Sequence, residues 1–254
     1  MRAANRAVGA LSRRLGRPEM LAAIDADARQ AQREALAIGA VLAATLRGQG
    51  TYVDVGTNRG QVLREAVRIA PRARHIAFEP IPALAQEIGR EFPNVDCRNK
   101  AIGARSETAE FCYFHELHGW SGLRRNPEIS DARGRPEFIT VEVSTLDAEL
   151  DGVTPSVVKI DVEGAEVAAI EGGRSLLARA RPLVIFEHVY AAAALYGAVP
   201  GAPWDLLSEL AYEIFAITGE GPFARSEFVA GAGTSGGAGI VNWLATPSAG
   251  PAPA

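Results

Sequence analysis

T-Y-V-D-V-G-T-N-R-G, residues 51–60, reads as a strand that runs into a glycine turn. Tyr52, Val53 and Val55 are aromatic or β-branched, types that pack well on a pleated surface. Gly56, Asn58 and Gly60 tolerate a left-handed backbone and so shape a tight turn. From Gln61 to Ile69 the residues Val62, Leu63, Ala66, Val67 and Ile69 share one side at helical spacing. Strand, turn and helix together form a cradle for a nucleotide-like cofactor. Glycine lets the backbone approach the ligand, and the helix start offers free N–H groups.

Asp54 decides which cofactor. A dinucleotide site carries G-x-G-x-x-G, with the helix N-terminus facing a pyrophosphate. Here the pattern is D-x-G-x-N-x-G, and a carboxylate beside the turn repels a pyrophosphate. It suits a ligand with an ammonium and a sulfonium, the description of S-adenosylmethionine. An NAD-dependent oxidoreductase on a similar sheet is the first alternative, and Asp54 and the glycine spacing count against it. A non-catalytic module that keeps the cofactor fold is the second.

Composition narrows the class. The chain has 254 residues, 48% hydrophobic, enough for one sizeable core. Its net charge of −4 gives no basic field for nucleic acid, and no N-P-P-Y-like motif for a flipped base is present. Cys97 and Cys112 match neither a zinc motif nor a redox pair, so a cytoplasmic setting is expected. No apolar run is long enough for a membrane span. The N-terminus carries Arg2, Arg6, Arg13, Arg14 and Arg17 and reads as a basic leader without a secretory signal.

Outward from the glycine turn, the expected elements follow in order. A helix runs from Pro18 to about Leu46 on a stripe of Leu21, Ile24, Ala28, Ala31, Ala35, Ile38 and Leu42. It is expected to cover a sheet edge, and its stripe is also a candidate homodimer contact. Residues 1–50 are therefore assigned as leader and helical cover, 51–246 as the cofactor domain, and 247–254 as a disordered Pro/Ala/Ser tail. Arg74–Phe78 is a second strand, ending at Glu79, about twenty residues past the turn, where a Rossmann-like fold places an acid on the ribose hydroxyls. Pro82 to Phe92 reads as a helix and Asn94 to Arg98 as a strand. In the loop that follows, Asn99 is expected at the polar edge of the adenine and Ala101 and Ile102 on its face. Thr108 to Phe114 and Glu137 to Val143 are both extended in pattern. Between them lies a polar loop with His115, His118, Trp120, Ser121, Arg124, Arg125, Arg133 and Arg135, read as a lid that contacts the acceptor.

K-I-D-V-E-G-A-E, residues 159–166, is the second informative stretch. It places Asp161 and Glu163 at the carboxyl end of a strand, beside the crevice. Such acids can orient an acceptor hydroxyl, take its proton or hold a divalent cation, with Glu187 as a further ligand. Glu166 fits a helix start. Pro182 to Phe186 is another apolar strand, and His188 just beyond it is the first candidate base, ahead of Asp161 and His118. Trp204 to Leu210 reads as a helix, Tyr212 to Ile217 and Ile240 to Ala245 as an antiparallel strand pair, and Gly231 to Gly239 as a glycine-rich connection.

D-V-G-T-N-R-G (54–60), F-E-P (78–80), N-K-A-I-G (99–103), S-T-L-D (144–147), K-I-D-V-E-G-A-E (159–166) and F-E-H (186–188), in this order, resemble the FkbM family of S-adenosylmethionine-dependent methyltransferases. The resemblance covers roughly residues 50 to 190. It implies a class I methyltransferase fold, α/β and Rossmann-like, with a seven-stranded mostly parallel sheet, helices on both faces and an antiparallel last strand. It implies that Asp54, Gly56, Asn58 and Gly60 line the methionine end of the cofactor, that Glu79 takes the ribose, and that Asp161 and Glu163 face the transferred methyl. Trp120, Ser121 and Glu163 are the expected acceptor contacts. The implied acceptors are hydroxyls of sugars, glycans or secondary metabolites.

Overall fold

A computed structural model of the chain describes residues 18–47, 49–127, 135–233 and 239–249, with the backbone alone described for 18–27. The arginine leader, Arg133, the middle of the glycine-rich connection and the last five residues lie outside the described residues. In chain order the elements are α1 (Pro18–Leu46), β1 (Thr51–Val55), α2 (Gln61–Ile69), β2 (Arg74–Phe78), α3 (Pro82–Glu91), β3 (Asp96–Arg98), β4 (Ala101–Ile102), β5 (Glu107–Tyr113) and β6 (Glu137–Ser144). There follow α4 (Leu146–Glu149), β7 (Val157–Ile160), α5 (Glu166–Glu171), α6 (Arg174–Ala180), β8 (Leu183–Glu187), α7 (Tyr190–Ala194), α8 (Ala202–Glu209), β9 (Tyr212–Ala216), α9 (Arg225–Gly231) and β10 (Asn242–Pro247).

Seven strands form the main sheet in the order β3-β2-β1-β7-β8-β10-β9. β1, β2, β3, β7 and β8 pair in parallel, and β10 runs antiparallel to both neighbours. This is the class I methyltransferase architecture. β4, β5 and β6 form a separate three-stranded sheet, a feature the extended pattern of these segments did not distinguish from membership of the main sheet.

Both faces are buried, which is why the central strands read as continuous apolar runs. One face carries Val53, Val55, Ile76, Phe78, Val158, Ile160, Val184, Phe186 and Trp243 against Leu146, Ile170, Leu176, Leu177, Leu207 and Phe228 of the later helices. The other carries Tyr52, Ala77, Val157 and Ile185 against Ile38, Leu42 and Leu46 of α1 and Leu63 and Ala66 of α2. Helix α1 therefore lies over the middle of the sheet rather than at its edge. Its stripe also drifts: Ala28, Ala31 and Ala35 are exposed, while Glu34 is buried and accepts a hydrogen bond from Asn242 Nδ2 at 2.7 Å.

Two motif residues prove structural. Thr145 caps α4 by accepting from the Ala148 N–H at 3.1 Å. The Asp147 carboxylate accepts from the N–H groups of Ser175 and Leu176 at the start of α6, at 3.1 and 2.7 Å. The last strand also runs further than expected, through Pro247, which pairs with Tyr212. Pairing with β8 has ended at Ala245, so proline's missing N–H leaves no ladder bond unmade there.

Candidate active site

The crevice lies at the carboxyl ends of β1, β2, β7 and β8. Register assembles its charges: Asp54 is opposite Lys159, which is opposite Ile185. Alternation then puts Asp161 and Glu187 on the same side. The turn after β1 is pinned by the Gly56 and Thr57 N–H groups, which donate to the Phe78 carbonyl at 3.0 and 3.1 Å. Gly56, Asn58 and Gly60 all take positive φ, of 81°, 50° and 70°. A Cβ on Gly56 would lie 1.8 Å from the Asp161 carbonyl oxygen. Glycine is needed there because two strand ends touch, as well as for any close ligand approach.

Glu79 is buried, and its two oxygens accept from the N–H groups of Asn58 and Ile81 at 2.7 and 2.9 Å. Burial pushes its pKa up to about 7, against the pull of those two donors. It thus ties the glycine turn to β2 and keeps lone pairs toward the crevice. Asn99 does not line the crevice; its Nδ2 donates to the carbonyls of Glu79 and Pro80 at 2.8 and 2.9 Å. The adenine-edge expectation for Asn99 is thereby corrected: the amide is used to shape the β2–β3 loops. Lys100, Ala101 and Ile102 form the wall instead.

Asp54 is fully enclosed, and burial raises its pKa to about 6 even though Lys159 opposes the shift. One of its oxygens and Asn58 Oδ1 are buried without a hydrogen-bond partner. Asp161 lies at the mouth, where its Oδ2 accepts from Lys159 Nζ at 2.9 Å; the same ammonium is 3.9 Å from Asp54 Oδ1. Beyond it, Glu163 takes a φ of 54°, and burial followed by repulsion from Asp161 and Glu187 drives its pKa strongly upward, so it is a neutral acid near pH 7. Glu187 is pushed up for the same reasons, burial first. Glu166 is buried and its Oε1 accepts from the N–H groups of Val162 and Gly164, which fixes the V-E-G loop.

The segment His118–Trp120 forms a short 3₁₀ turn over the glycine turn. His118 and Gly119 line both halves of the crevice, with Asn58, Gly56 and Asp161. The half with Glu79, Ile81, Ala101, Ile102, Ser121 and Glu163 is narrow, about 80 Å³; the half with Asp54, Gln61, Trp120 and Lys159 is wider, about 460 Å³. Ser121 is buried and accepts from the Phe114 N–H at 3.0 Å, so it holds the lid's backbone. Arg59 Nη2 lies 2.7 Å from His118 Nε2. A guanidinium only donates, so Nε2 is the acceptor and the proton sits on Nδ1. Desolvation, then Arg59, lowers the His118 pKa.

His188 is not in the crevice. Glu187 faces the charged side, and the next residue turns to the opposite face. There His188 stacks on Phe228, with centroids 5.6 Å apart, and lines a separate cavity of about 310 Å³ with Tyr190, Pro200 and Val229. Burial lowers its pKa to about 4. The expectation that it leads the candidate bases is therefore corrected. Among the described residues no three His, Cys, Asp or Glu side chains are arranged to hold a metal ion, and Asp161 is engaged by an ammonium instead. Lys159, Arg59, Lys100 and Glu116 are charged crevice residues to which sequence reasoning gave no role. A lysine inside V-V-K-I, a strand otherwise apolar, was the available signal.

The methyltransferase FkbM domain model matches residues 54–214. The chain belongs to the FkbM methyltransferase family. The matched FkbM domain begins at Asp54, the carboxylate of the glycine turn, and takes in every crevice residue described above. A methyltransferase FkbM from Methylobacillus flagellatus KT is 16% identical, with a TM-score of 0.47, over 78% of this chain and 44% of its own length. This chain thus spans less than half of that protein. An O-methyltransferase from Bacillus cereus in complex with SAH is 10% identical, with a TM-score of 0.44, over 89% of each chain. The plantazolicin methyltransferase BpumL is 10% identical, with a TM-score of 0.43, over 92% of this chain and 93% of its own. No curated protein sequence matches the chain. Among the described residues no helix is long and apolar enough to cross a membrane.

Proposed function

We propose that this FkbM domain binds S-adenosylmethionine and methylates a hydroxyl oxygen of a small polar acceptor, a sugar, glycan or secondary metabolite. The carrying observation is the pair of buried acceptors without a hydrogen-bond donor, Asp54 Oδ1 and Asn58 Oδ1, in a crevice whose described acids outnumber its cations. Orphaned acceptors beside a carboxylate fit a ligand that brings N–H and O–H donors and positive charge. Asp54 and Asn58 then receive the ammonium end, Glu79 the ribose hydroxyls, and Ala101 with Ile102 the adenine face. When bound, the cofactor supplies an electrophilic methyl group on a sulfonium.

The chain's own residues do the rest. The wider half of the crevice admits the acceptor beside Trp120, and Glu163, a neutral acid of the narrow half that reaches Gly119 where the two halves meet, is available to donate to an acceptor oxygen. Asp161 takes the hydroxyl proton, since the Lys159 ammonium, 2.9 Å from its Oδ2, holds the carboxylate at the mouth. His118 serves as base only after Arg59 leaves Nε2. Closing the 118–121 segment excludes water from the reacting groups.

Isothermal calorimetry with S-adenosylhomocysteine and, separately, NAD tests the reading. Binding of the first alone supports it, and binding of NAD alone returns the oxidoreductase alternative. Transfer of label from the methyl donor into a panel of sugar and metabolite alcohols tests the acceptor class. Binding without transfer to any hydroxyl would favour a non-catalytic module.

A further inference from the structure

Lys159 is the buried cation of the crevice. It stands on β7, its side chain is 6% exposed, and its ammonium is 2.9 Å from Asp161 Oδ2 and 3.9 Å from Asp54 Oδ1. A buried ammonium survives only where opposite charge compensates it, and a buried carboxylate beside a second, half-buried one needs a counter-charge to stay ionised. Two carboxylates and one ammonium leave a residual charge of minus one at the base of the wider half. That balance complements a ligand with a net single positive charge, as a sulfonium amino acid has.

We propose that Lys159 is a positioning residue for cofactor binding: seated between the two carboxylates, it keeps Asp54 ionised toward the ligand's ammonium and holds Asp161 at the crevice mouth. The inference rests on the methyl-donor reading above. Asp54 is acted on by Tyr52 on β1 and by Lys159 and Asp161 at β7, and itself acts on Glu79 after β2 and Cys97 on β3. Glu187 on β8 acts on Lys159 in turn, with Glu34 of α1 behind it. Within this set Lys159 is the cation, and it lowers the Asp54 pKa where burial and Asp161 raise it.

The test is calorimetry with S-adenosylhomocysteine from pH 5.5 to 8.5 on the full chain. Wild-type affinity should weaken as pH falls through about 6. In Lys159→Met the midpoint should move up by about one pH unit, so affinity falls roughly fivefold at pH 6 and about twofold at pH 7, and the loss vanishes toward pH 8.5. Lys159→Arg should restore the wild-type midpoint. Asp161→Asn, which removes a negative neighbour and frees the ammonium for Asp54, should move the midpoint down. A merely structural lysine would lower affinity equally at every pH, and that result overturns the inference. Where Lys159→Met does not fold, the Asp161→Asn midpoint decides, and an unmoved or raised midpoint overturns it. Wild-type protein that binds at no pH overturns the methyl-donor reading itself, and this inference with it.

Discussion

Gly56→Ala is the substitution most sharply judged by the structure. The residue sits at φ 81°, where an alanine pays about 1–2 kcal/mol in backbone strain. Its Cβ would lie 1.8 Å from the Asp161 carbonyl oxygen and 2.9 Å from the carbonyl carbon, both backbone atoms that no rotamer change can move. The strand ends must part by about 1 Å or more to restore contact distance. That opening strains the hydrogen bond from Asp161 N–H to the Val55 carbonyl, 3.0 Å in the fold, worth about 1 kcal/mol. The expected loss is about 3 kcal/mol, or a fall in melting temperature of roughly 6–12 °C for a chain of this size. Gly89→Ala supplies the control of opposite sign. Gly89 lies on the exposed side of α3 with nothing within 4 Å of an added Cβ, so alanine there should stabilise by about 0.5–1 kcal/mol. Thermal unfolding by circular dichroism, with S-adenosylhomocysteine calorimetry alongside, reads both variants. A Gly56→Ala protein that melts within about 2 °C of wild type and binds as well would refute the reasoning.

Three further outcomes are expected. Glu79 and Glu166 have pKa values near 7 in the fold and Asp54 near 6, all above their unfolded values, chiefly through burial. The folded state therefore holds extra protons, and the stability they contribute is full below about pH 4 and is lost as pH rises through 6 to 7. Urea unfolding at pH 5.5 and 8.5 should show the protein less stable at 8.5 by about 5 kcal/mol, roughly 2 from each glutamate and about 1 from Asp54, and a rise instead would count against these burials. His188, with a pKa near 4, carries the opposite sign, so His188→Gln should reduce acid sensitivity between pH 6.5 and 4 and leave S-adenosylhomocysteine affinity unchanged; a large loss of affinity would return His188 to the crevice. Arg59→Ala should raise the His118 pKa, followed by NMR titration of the imidazole, and no shift would mean that the 2.7 Å contact does not persist in solution.

What the sequence made legible were the features set by one residue and its immediate neighbours. Glycine spacing with an acid before it located the turn, because positive φ and a strand-end carboxylate are local demands. Pro82 and the apolar periods located α3 and α2 to within a residue. What stayed hidden was set by partners far along the chain. Nothing near Asn99 shows that its amide will be used by the carbonyls of Glu79 and Pro80. Nothing near β4 shows that its pairing partner is β6 rather than a strand of the main sheet.

F-E-H at 186–188 shows the same division inside three residues. Sequence placed Glu187 and His188 together at a strand end, where either can serve chemistry. The pleat then separates them, sending the glutamate toward Lys159 and Asp161 and the histidine into an apolar wall on Phe228. Charge at a strand end is thus weak information until the face is known, and the face follows from register. Here Asp54 opposite Lys159 fixes it: an ionised pair inside a buried sheet allows only one side to be the polar one. Read with that constraint, V-V-K-I-D already separates Lys159 and Asp161 from Val158 and Ile160, and assigns the crevice to the lysine's side. The most polar position in the most apolar strand was therefore the strongest pointer to the site, stronger than the histidine whose pKa made it the obvious candidate.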